Sequence, residues 1–291
     1  MNPVLIIGCG DIGQRVARLC QLNGAKVSGL ARSENSVARL RKLDIIPIPG
    51  DLASAETLTE LPTKNADIYY FAPPPGEGTT DPYMHHFLSA IKNDALPDKM
   101  ILISTTAVYG DCHGEWITEN QPVNPQTDRG NRRLDAENTS RAWAEQNNVP
   151  LVILRVGGIY GPGRLPIARL QKGLPILHEQ ESPYTNRIHQ DDLANICVEA
   201  AKYVKNVGHQ VTIFNVADGH PGTMSQYFKD VAKACGLPLP PEITRDEAQQ
   251  QMTAGMLSYL RESRRIDNTK LIRELNLGLK YPTLEEGLKN L

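Results

Sequence analysis

The sequence has no surplus of charge of either sign. Its 291 residues include 31 lysines and arginines and 33 aspartates and glutamates, which gives a formal net charge of -2. This balance produces no overall basic field, so it argues against a nucleic acid as the principal partner. The N-terminus has no basic-then-apolar leader, and no apolar run is long enough to span a bilayer. We therefore expect a cytoplasmic protein without a membrane partner.

Cysteine is also sparse, and its pattern excludes some kinds of site. The five cysteines are odd in number and widely spaced, and no two of them form a Cys-x-x-Cys pair. This favours reduced thiols and argues against a structural zinc site, so we expect no metal centre. Cys9, between Gly8 and Gly10, is either a reactive thiol, if a helix end lowers its pKa, or a small space-filling residue.

What the chain does contain is a regular alternation of strand-like and helix-like segments. Hydrophobic residues make up 40% of the sequence, enough for one large core or two unequal ones. Strands are predicted at residues 4–7, 26–30, 45–48, 68–72, 100–104, 151–156 and 212–216. Helices are predicted at residues 132–147, 191–204, 225–235 and 245–259, among others. The alternation predicts an α/β fold, a doubly wound parallel sheet covered on both faces by helices.

The alternation becomes looser after residue 156, which suggests two unequal parts. We expect residues 1–163 to form the domain that contains the sheet. Residues 164–291 should form mainly a smaller C-terminal α/β lobe that holds the substrate, with segments near 189–217 returning to the first domain.

A glycine motif follows the first predicted strand. Val4-Leu-Ile-Ile precedes Gly8-x-Gly10-x-x-Gly13, and apolar residues then recur at helical spacing. This is the pattern of a Rossmann dinucleotide-binding domain, whose glycines allow a tight turn, the approach of a pyrophosphate and close helix packing. The phosphates would lie at the helix N-terminus. A glycine turn without a ligand is the alternative. We expect the cofactor turn to consist of Gly8, Gly10, Asp11, Ile12 and Gly13.

The end of the second strand indicates which dinucleotide is bound. Arg32 stands about where an NAD-specific protein carries a carboxylate, and its guanidinium could hold a 2′-phosphate. We therefore predict NADP, with NAD as the alternative; a solvated surface arginine is the other interpretation of Arg32. Asp51 and Leu52 follow the third strand and are assigned to the cofactor site. Asp51 could receive the adenine amino group or could only cap the following helix.

Five later segments stand out along the chain. They are STTAVYG at 104–110, RVGGIYGPG at 155–163, RIHQDDL at 187–193, FNVA at 214–217 and YPTLEEGL at 281–288. Taken together, they resemble the extended short-chain dehydrogenase/reductases, the NAD-dependent epimerase/dehydratase group. The resemblance runs nearly from end to end.

The resemblance implies roles for several residues. Thr105, four residues before Tyr109, takes the position of the serine or threonine that hydrogen-bonds the reacting oxygen, with Thr106 as its competitor. Pro73 falls where relatives line the nicotinamide ribose. The resemblance implies a small-molecule substrate, such as the nucleotide-linked sugars on which relatives act. A homodimer formed through the helix at 132–147 is compatible with the sequence.

The sequence departs from the family at its catalytic pair. The frame that should hold Tyr-x-x-x-Lys has Arg129 and Arg133 in those two positions. Arginine, with a pKa above about 12, cannot exchange a proton usefully near neutrality, so Arg129 cannot replace the tyrosine. Arg133 could still bond ribose hydroxyls, and we assign it to both the catalytic and the cofactor-binding residues. The chain therefore resembles an atypical branch of the superfamily.

Two functions remain open from the sequence. The first is an NADP-dependent oxidoreductase or epimerase/dehydratase, acting on a carbonyl or nucleotide-sugar-like molecule with a relocated proton donor. The candidate donors are Tyr109, Tyr160, Tyr184 and His189. The second is a catalytically silent NADP-binding sensor or scaffold.

Basic residues around the segment 161–187 bear on the substrate. They could hold a diphosphate, as in nucleotide-sugar relatives, or they could be solvated surface charges. They are Arg164, Arg169, Lys172 and Arg187.

Overall fold

The computed structural model describes residues 2–207 and 211–289. A seven-stranded parallel sheet lies at its centre. The strands are β1 Val4–Ile7, β2 Val27–Ala31, β3 Ile46–Pro49, β4 Asp67–Tyr70, β5 Lys99–Thr105, β6 Leu151–Val156 and β7 Val211–Val216. Their order across the sheet is β7-β6-β5-β4-β1-β2-β3. The predicted doubly wound parallel sheet is confirmed, and each predicted strand lies within two residues of an observed one.

Helices cover both faces of this sheet and continue into the C-terminal part. They are α1 Asp11–Leu22, α2 Glu34–Arg41, α3 Pro82–Ser89, α4 Asp128–Asn147, α5 Ile167–Gln171, α6 Gln190–Val207, α7 Met224–Ala234, α8 Arg245–Gln251, α9 Ala254–Leu260, α10 Thr269–Leu275 and α11 Leu284–Leu288. Short 3-10 turns occur at Ala55–Thr57, Thr106–Tyr109 and Glu179–Glu181. Among the described residues, no helix is both long and apolar enough to cross a membrane.

Short strands pair outside the main sheet and join distant parts of the chain. The parallel pairs are Gly158–Tyr160 with Arg187–His189, Ile176–Leu177 with Glu242–Ile243, and Trp116–Ile117 with Arg265–Ile266; Tyr184–Thr185 pairs antiparallel with Gly222–Thr223.

The sheet separates two apolar layers. In β1, Ile6 enters the layer beneath α1, α6 and α10, whereas Leu5 and Ile7 enter the layer beneath α3 and α4. This follows from strand geometry, because successive side chains point to opposite faces. The central strand is therefore buried on both sides, as a parallel sheet requires.

Two helix predictions were wrong in their boundaries. The helix predicted at 132–147 begins four residues earlier, because the Thr127 hydroxyl accepts a hydrogen bond from the Gly130 N–H at 3.3 Å and caps it. The helix predicted at 245–259 is two helices, since α8 ends at Gln251 and the Thr253 hydroxyl caps α9. The domain boundary at residue 163 stays a prediction, although β7 does join the main sheet.

Candidate functional site

The glycine turn connects β1 to α1, and backbone atoms pack closely against Gly8 and Gly13. Gly8 has a φ of +92°, and a Cβ there would lie 2.7 Å from the backbone of Phe71. A Cβ on Gly13 would lie 2.8 Å from the Gly8 carbonyl oxygen. A Cβ on Gly10, in contrast, would meet nothing within 4 Å, and no side chain caps α1 there. The N–H groups of the first helical turn are thus left for an anionic ligand.

A groove of about 350 Å³ opens in front of this turn. It contains six of the predicted cofactor residues: Gly8, Gly10, Arg32, Asp51, Leu52 and Pro73. Asp51 also accepts a hydrogen bond from the Ala53 N–H at 3.0 Å, so it shapes its own turn as well as lining the groove. Ile12 lies instead in the core beneath the sheet. We infer that Ile12 and Gly13 can contribute only through their backbone.

The structure adds two residues that sequence reasoning missed. Ser36 and Arg39, on α2, line the same groove as Arg32. Their spacing of three residues places them on one face of the helix, and this spacing was the available signal. Cys9 is buried in the turn, and burial raises the pKa of its thiol to about 11. Both observations favour the space-filling interpretation of Cys9 over a reactive thiol.

The Asp11 side chain links the cofactor turn to the loop that follows Gly158–Tyr160. Its carboxylate accepts hydrogen bonds from Arg15 Nε at 3.0 Å and from Arg164 Nε at 2.7 Å. Although partial burial acts in the other direction, these bonds lower the pKa of Asp11. Its side chain is therefore already engaged, and its backbone N–H is what it can offer to a cofactor.

Arg133 lies beneath the carboxyl ends of two neighbouring strands. Its Nη1 donates to the carbonyl oxygen of Ala72 at 3.2 Å and to that of Ile103 at 3.3 Å. Burial lowers the pKa of the guanidinium. Because Pro73 directly follows Ala72, Arg133 lies close to the wall that the family resemblance assigns to the nicotinamide ribose.

Thr105 ends β5 and begins the adjoining 3-10 turn. Its Oγ1 accepts a hydrogen bond from the Ala107 N–H at 3.2 Å, so its own hydroxyl proton remains for another acceptor. Thr105 and Thr106 both border a second cavity of about 460 Å³, the cleft. The opposite walls of the cleft come from α7 and α9. Thr105 therefore stands between the sheet and a space large enough for a small molecule.

Arg129 also borders the cleft, but it is held by α9. Its guanidinium carbon lies 3.7 Å from the centre of the Tyr259 ring, and its Nη1 donates to Ser258 Oγ at 2.7 Å. The residue in the tyrosine position thus connects α4 to α9. Arginine suits this role because its planar cation can stack on an aromatic ring while it donates hydrogen bonds.

Three of the four predicted proton donors are engaged elsewhere. The Tyr109 hydroxyl donates to Asn215 Oδ1 at 2.7 Å, and the Tyr160 hydroxyl donates to the Thr283 carbonyl at 3.1 Å. His189 lies between the rings of Tyr160 and Tyr281, and burial lowers its pKa. Of the four, only Tyr184 borders the cleft.

A buried ion pair fixes α4 against the strands that carry the site. Arg155 Nη2 lies 2.7 Å from Glu137 Oε2, and Ser104 Oγ donates to Glu137 Oε1 at 2.5 Å. Both charged side chains are almost inaccessible to solvent. The pair joins α4 to β5 and β6, and it therefore fixes the position of Arg133 on α4 relative to Thr105 on β5.

The family follows from comparison with known proteins. The sequence model of the NAD dependent epimerase/dehydratase family matches residues 4–217, which contain the whole seven-stranded sheet. The chain therefore belongs to this family, and the resemblance drawn from its sequence segments is confirmed.

Solved structures share the fold, and a curated relative matches about half of the chain. A functionally unknown conserved protein from Silicibacter pomeroyi has a TM-score of 0.80 and 27% identity, over 100% of this chain and 98% of that one. A UDP-glucuronic acid 4-epimerase from Bacillus cereus, solved in complex with NAD, has a TM-score of 0.75 and 20% identity, over 99% and 96%. Human dTDP-D-glucose 4,6-dehydratase is 26% identical over 157 residues, 51% of this chain but only 44% of the human protein. The match thus spans less than half of that curated relative.

Proposed function

We propose that the protein binds NADP and acts as an oxidoreductase or epimerase/dehydratase on a carbonyl compound or a nucleotide-sugar-like small molecule. In this proposal its catalytic residues differ from the usual Tyr-x-x-x-Lys pair of the family. The observation that carries the proposal is that Arg32, Ser36 and Arg39 line the same groove as Gly8 and Gly10.

The groove suits a phosphorylated dinucleotide in both shape and charge. The uncapped first turn of α1 and the open space at Gly10 leave room for a pyrophosphate. Arg32 and Arg39 supply two cations beside it, and guanidinium groups bind phosphate oxygens in a forked geometry. NAD, the dinucleotide after which the family is named, lacks the 2′-phosphate that these cations would recognise.

The remaining residues would act on the substrate side. The cofactor would supply or accept a hydride. The Thr105 hydroxyl would donate a hydrogen bond to the reacting oxygen, and Arg133 would bond the ribose hydroxyls and contribute positive potential. The alternative function, a cofactor-binding sensor, is favoured by Arg129, since the residue in the proton-donor position is tied to Ser258 and Tyr259.

Cofactor preference can be tested by calorimetric titration with NADP and with NAD. We expect Arg32→Glu to weaken NADP binding by about 10-fold or more and NAD binding far less, because a hydrogen bond to a charged group contributes about 1.5–3 kcal/mol. Arg18→Glu makes the same change in charge at an exposed position of α1 and should leave both affinities unchanged. Equal losses for the two cofactors in Arg32→Glu would refute the assignment.

Turnover as an oxidoreductase can be tested by NADPH consumption with a panel of aldehydes and ketones. An epimerase or dehydratase regenerates its cofactor in each cycle, so its turnover is tested by chromatographic analysis of the products formed from a panel of nucleotide sugars. Thr105→Ala should lower kcat by about 100-fold, the cost of removing one donor to a developing oxyanion, while Thr105→Ser should keep most of it. Tight cofactor binding without turnover of any compound would favour the sensor. Homodimerisation through α4 and a cytoplasmic location stay predictions.

A further inference from the structure

Four arginines but a single carboxylate border the cleft. They are Arg129, Arg164, Arg187 and Arg264, and the carboxylate is Glu262. Like charges gathered around one cavity repel each other unless counter-charges are supplied, so the partners of each arginine decide what the cleft can bind.

Three of these arginines are already engaged. Arg164 pairs at 2.7 Å with Asp11, which is not among the residues that border the cleft. Arg264 pairs with Glu262 at 2.9 Å and also donates to the Gly110 carbonyl. Arg129 donates to Ser258, stacks on the Tyr259 ring and lies 4.0 Å from Glu262.

Arg187 has no ion-pair partner within the described part of the chain. Its Nε is buried without a hydrogen-bond acceptor, and its Nη2 reaches only the thioether sulfur of Met224, at 3.4 Å. The guanidinium lies over the Tyr227 ring, 3.6 Å from its centre, and burial lowers its pKa. Asp218 attracts it from beyond ion-pair distance. A half-buried guanidinium with a buried donor left without an acceptor is costly unless a ligand compensates it.

The position of Arg187 places that ligand near the reaction centre. Arg187 is the register partner of Gly158, and a Cβ on Gly158 would collide with the guanidinium. Gly158 lies two residues beyond Val156, which is the register partner of Thr105. Arg187 therefore borders the same cleft as Thr105.

We propose that Arg187 binds a compact oxyanion of the substrate, a carboxylate or a phosphate monoester. One free guanidinium matches one such group, because its fork can donate two parallel hydrogen bonds to it. One guanidinium does not by itself match both phosphates of a nucleotide diphosphate, and the other three arginines of the cleft have protein partners. The proposal narrows the substrate class of the proposed function, and it rests on that function only in calling the bound anion a substrate group.

The test measures anion binding without turnover. Ligand-observed NMR titrations of the full chain with inorganic phosphate, acetate and UDP, at constant ionic strength, give the three affinities with and without NADP. We expect Arg187→Gln to weaken phosphate and acetate binding by about 10- to 100-fold and Arg187→Lys to weaken it less. Lys172, which the sequence left open as a diphosphate ligand, is exposed and is not among the residues that border the cleft. Lys172→Gln makes the same change in charge and should therefore have no effect.

Thermal unfolding checks that the variant is folded. Without added anion, Arg187→Gln should melt no lower than the native protein, because the substitution removes a half-buried charge that has no ion-pair partner among the described residues. Phosphate should raise the Tm of the native protein and not that of the variant.

Three results would overturn the proposal: native-like phosphate and acetate affinity in Arg187→Gln, an equal loss in Lys172→Gln, or UDP binding far tighter than either small anion and dependent on Arg187. These outcomes are separate from the failure of the proposed function. Arg187-dependent anion binding in a protein that binds no dinucleotide would leave the anion site standing and remove the NADP assignment.

Discussion

Removing Glu137 should cost more stability than removing the whole ion pair to which it belongs. The Glu137 carboxylate is fully buried and receives Arg155 Nη2 at 2.7 Å, Arg155 Nε at 3.2 Å and Ser104 Oγ at 2.5 Å. In Glu137→Ala the Arg155 guanidinium stays buried without a counter-charge. We expect this to lower the free energy of unfolding by about 3–5 kcal/mol, the range for breaking one side of a buried pair.

Two further variants separate the charge from the packing. The double variant Glu137→Leu with Arg155→Met removes both charges and keeps apolar volume, so it should cost clearly less than Glu137→Ala. Ser104→Ala removes one donor and leaves the pair intact, so it should cost only about 1 kcal/mol. Urea unfolding, followed by circular dichroism, gives the free energies of unfolding for all three variants. The reasoning fails if Glu137→Ala costs less than Ser104→Ala, or if the double variant is as unstable as Glu137→Ala.

Two other changes test the turn and a buried carboxyl. Gly13→Asp should abolish dinucleotide binding in calorimetry, because its Cβ would lie 2.8 Å from the Gly8 carbonyl and its charge would face the pyrophosphate; retained binding would remove the turn from the site. Burial raises the pKa of the Asp218 carboxyl from 3.8 to about 6. The folded protein therefore favours the protonated carboxyl, and this contribution to the free energy of unfolding is fully present below pH 3.8 and is lost as the pH rises through 6. Asp218→Asn should remove this loss, worth about 3 kcal/mol, and a variant that is no more stable than the native protein at pH 8 in urea unfolding would contradict it.

Local spacing in the sequence determined the core of the nucleotide-binding fold. An apolar run, three glycines and helical periodicity within residues 4–20 predict β1, the turn and α1, because each of these elements depends on neighbours a few residues away. The repeated alternation of such units predicts a parallel sheet, since parallel strands need long crossover connections. The family resemblance assigned Thr105 through the segment 104–110 and Arg133 through the position where the family has its lysine. The structure brings both residues to the carboxyl ends of the strands.

Only the tertiary structure decided the partners of the charged residues. Arg129 meets Tyr259, Asp11 meets Arg164, and Glu137 meets Arg155 across separations of 130, 153 and 18 residues. The sequence shows that these charges exist, but it does not show which of them neutralise each other, because that depends on how the C-terminal helices close over the sheet. The same closure leaves the Nε of Arg187 buried without an acceptor among the described residues, and a pattern of residue types along the chain carries no signal for a missing partner.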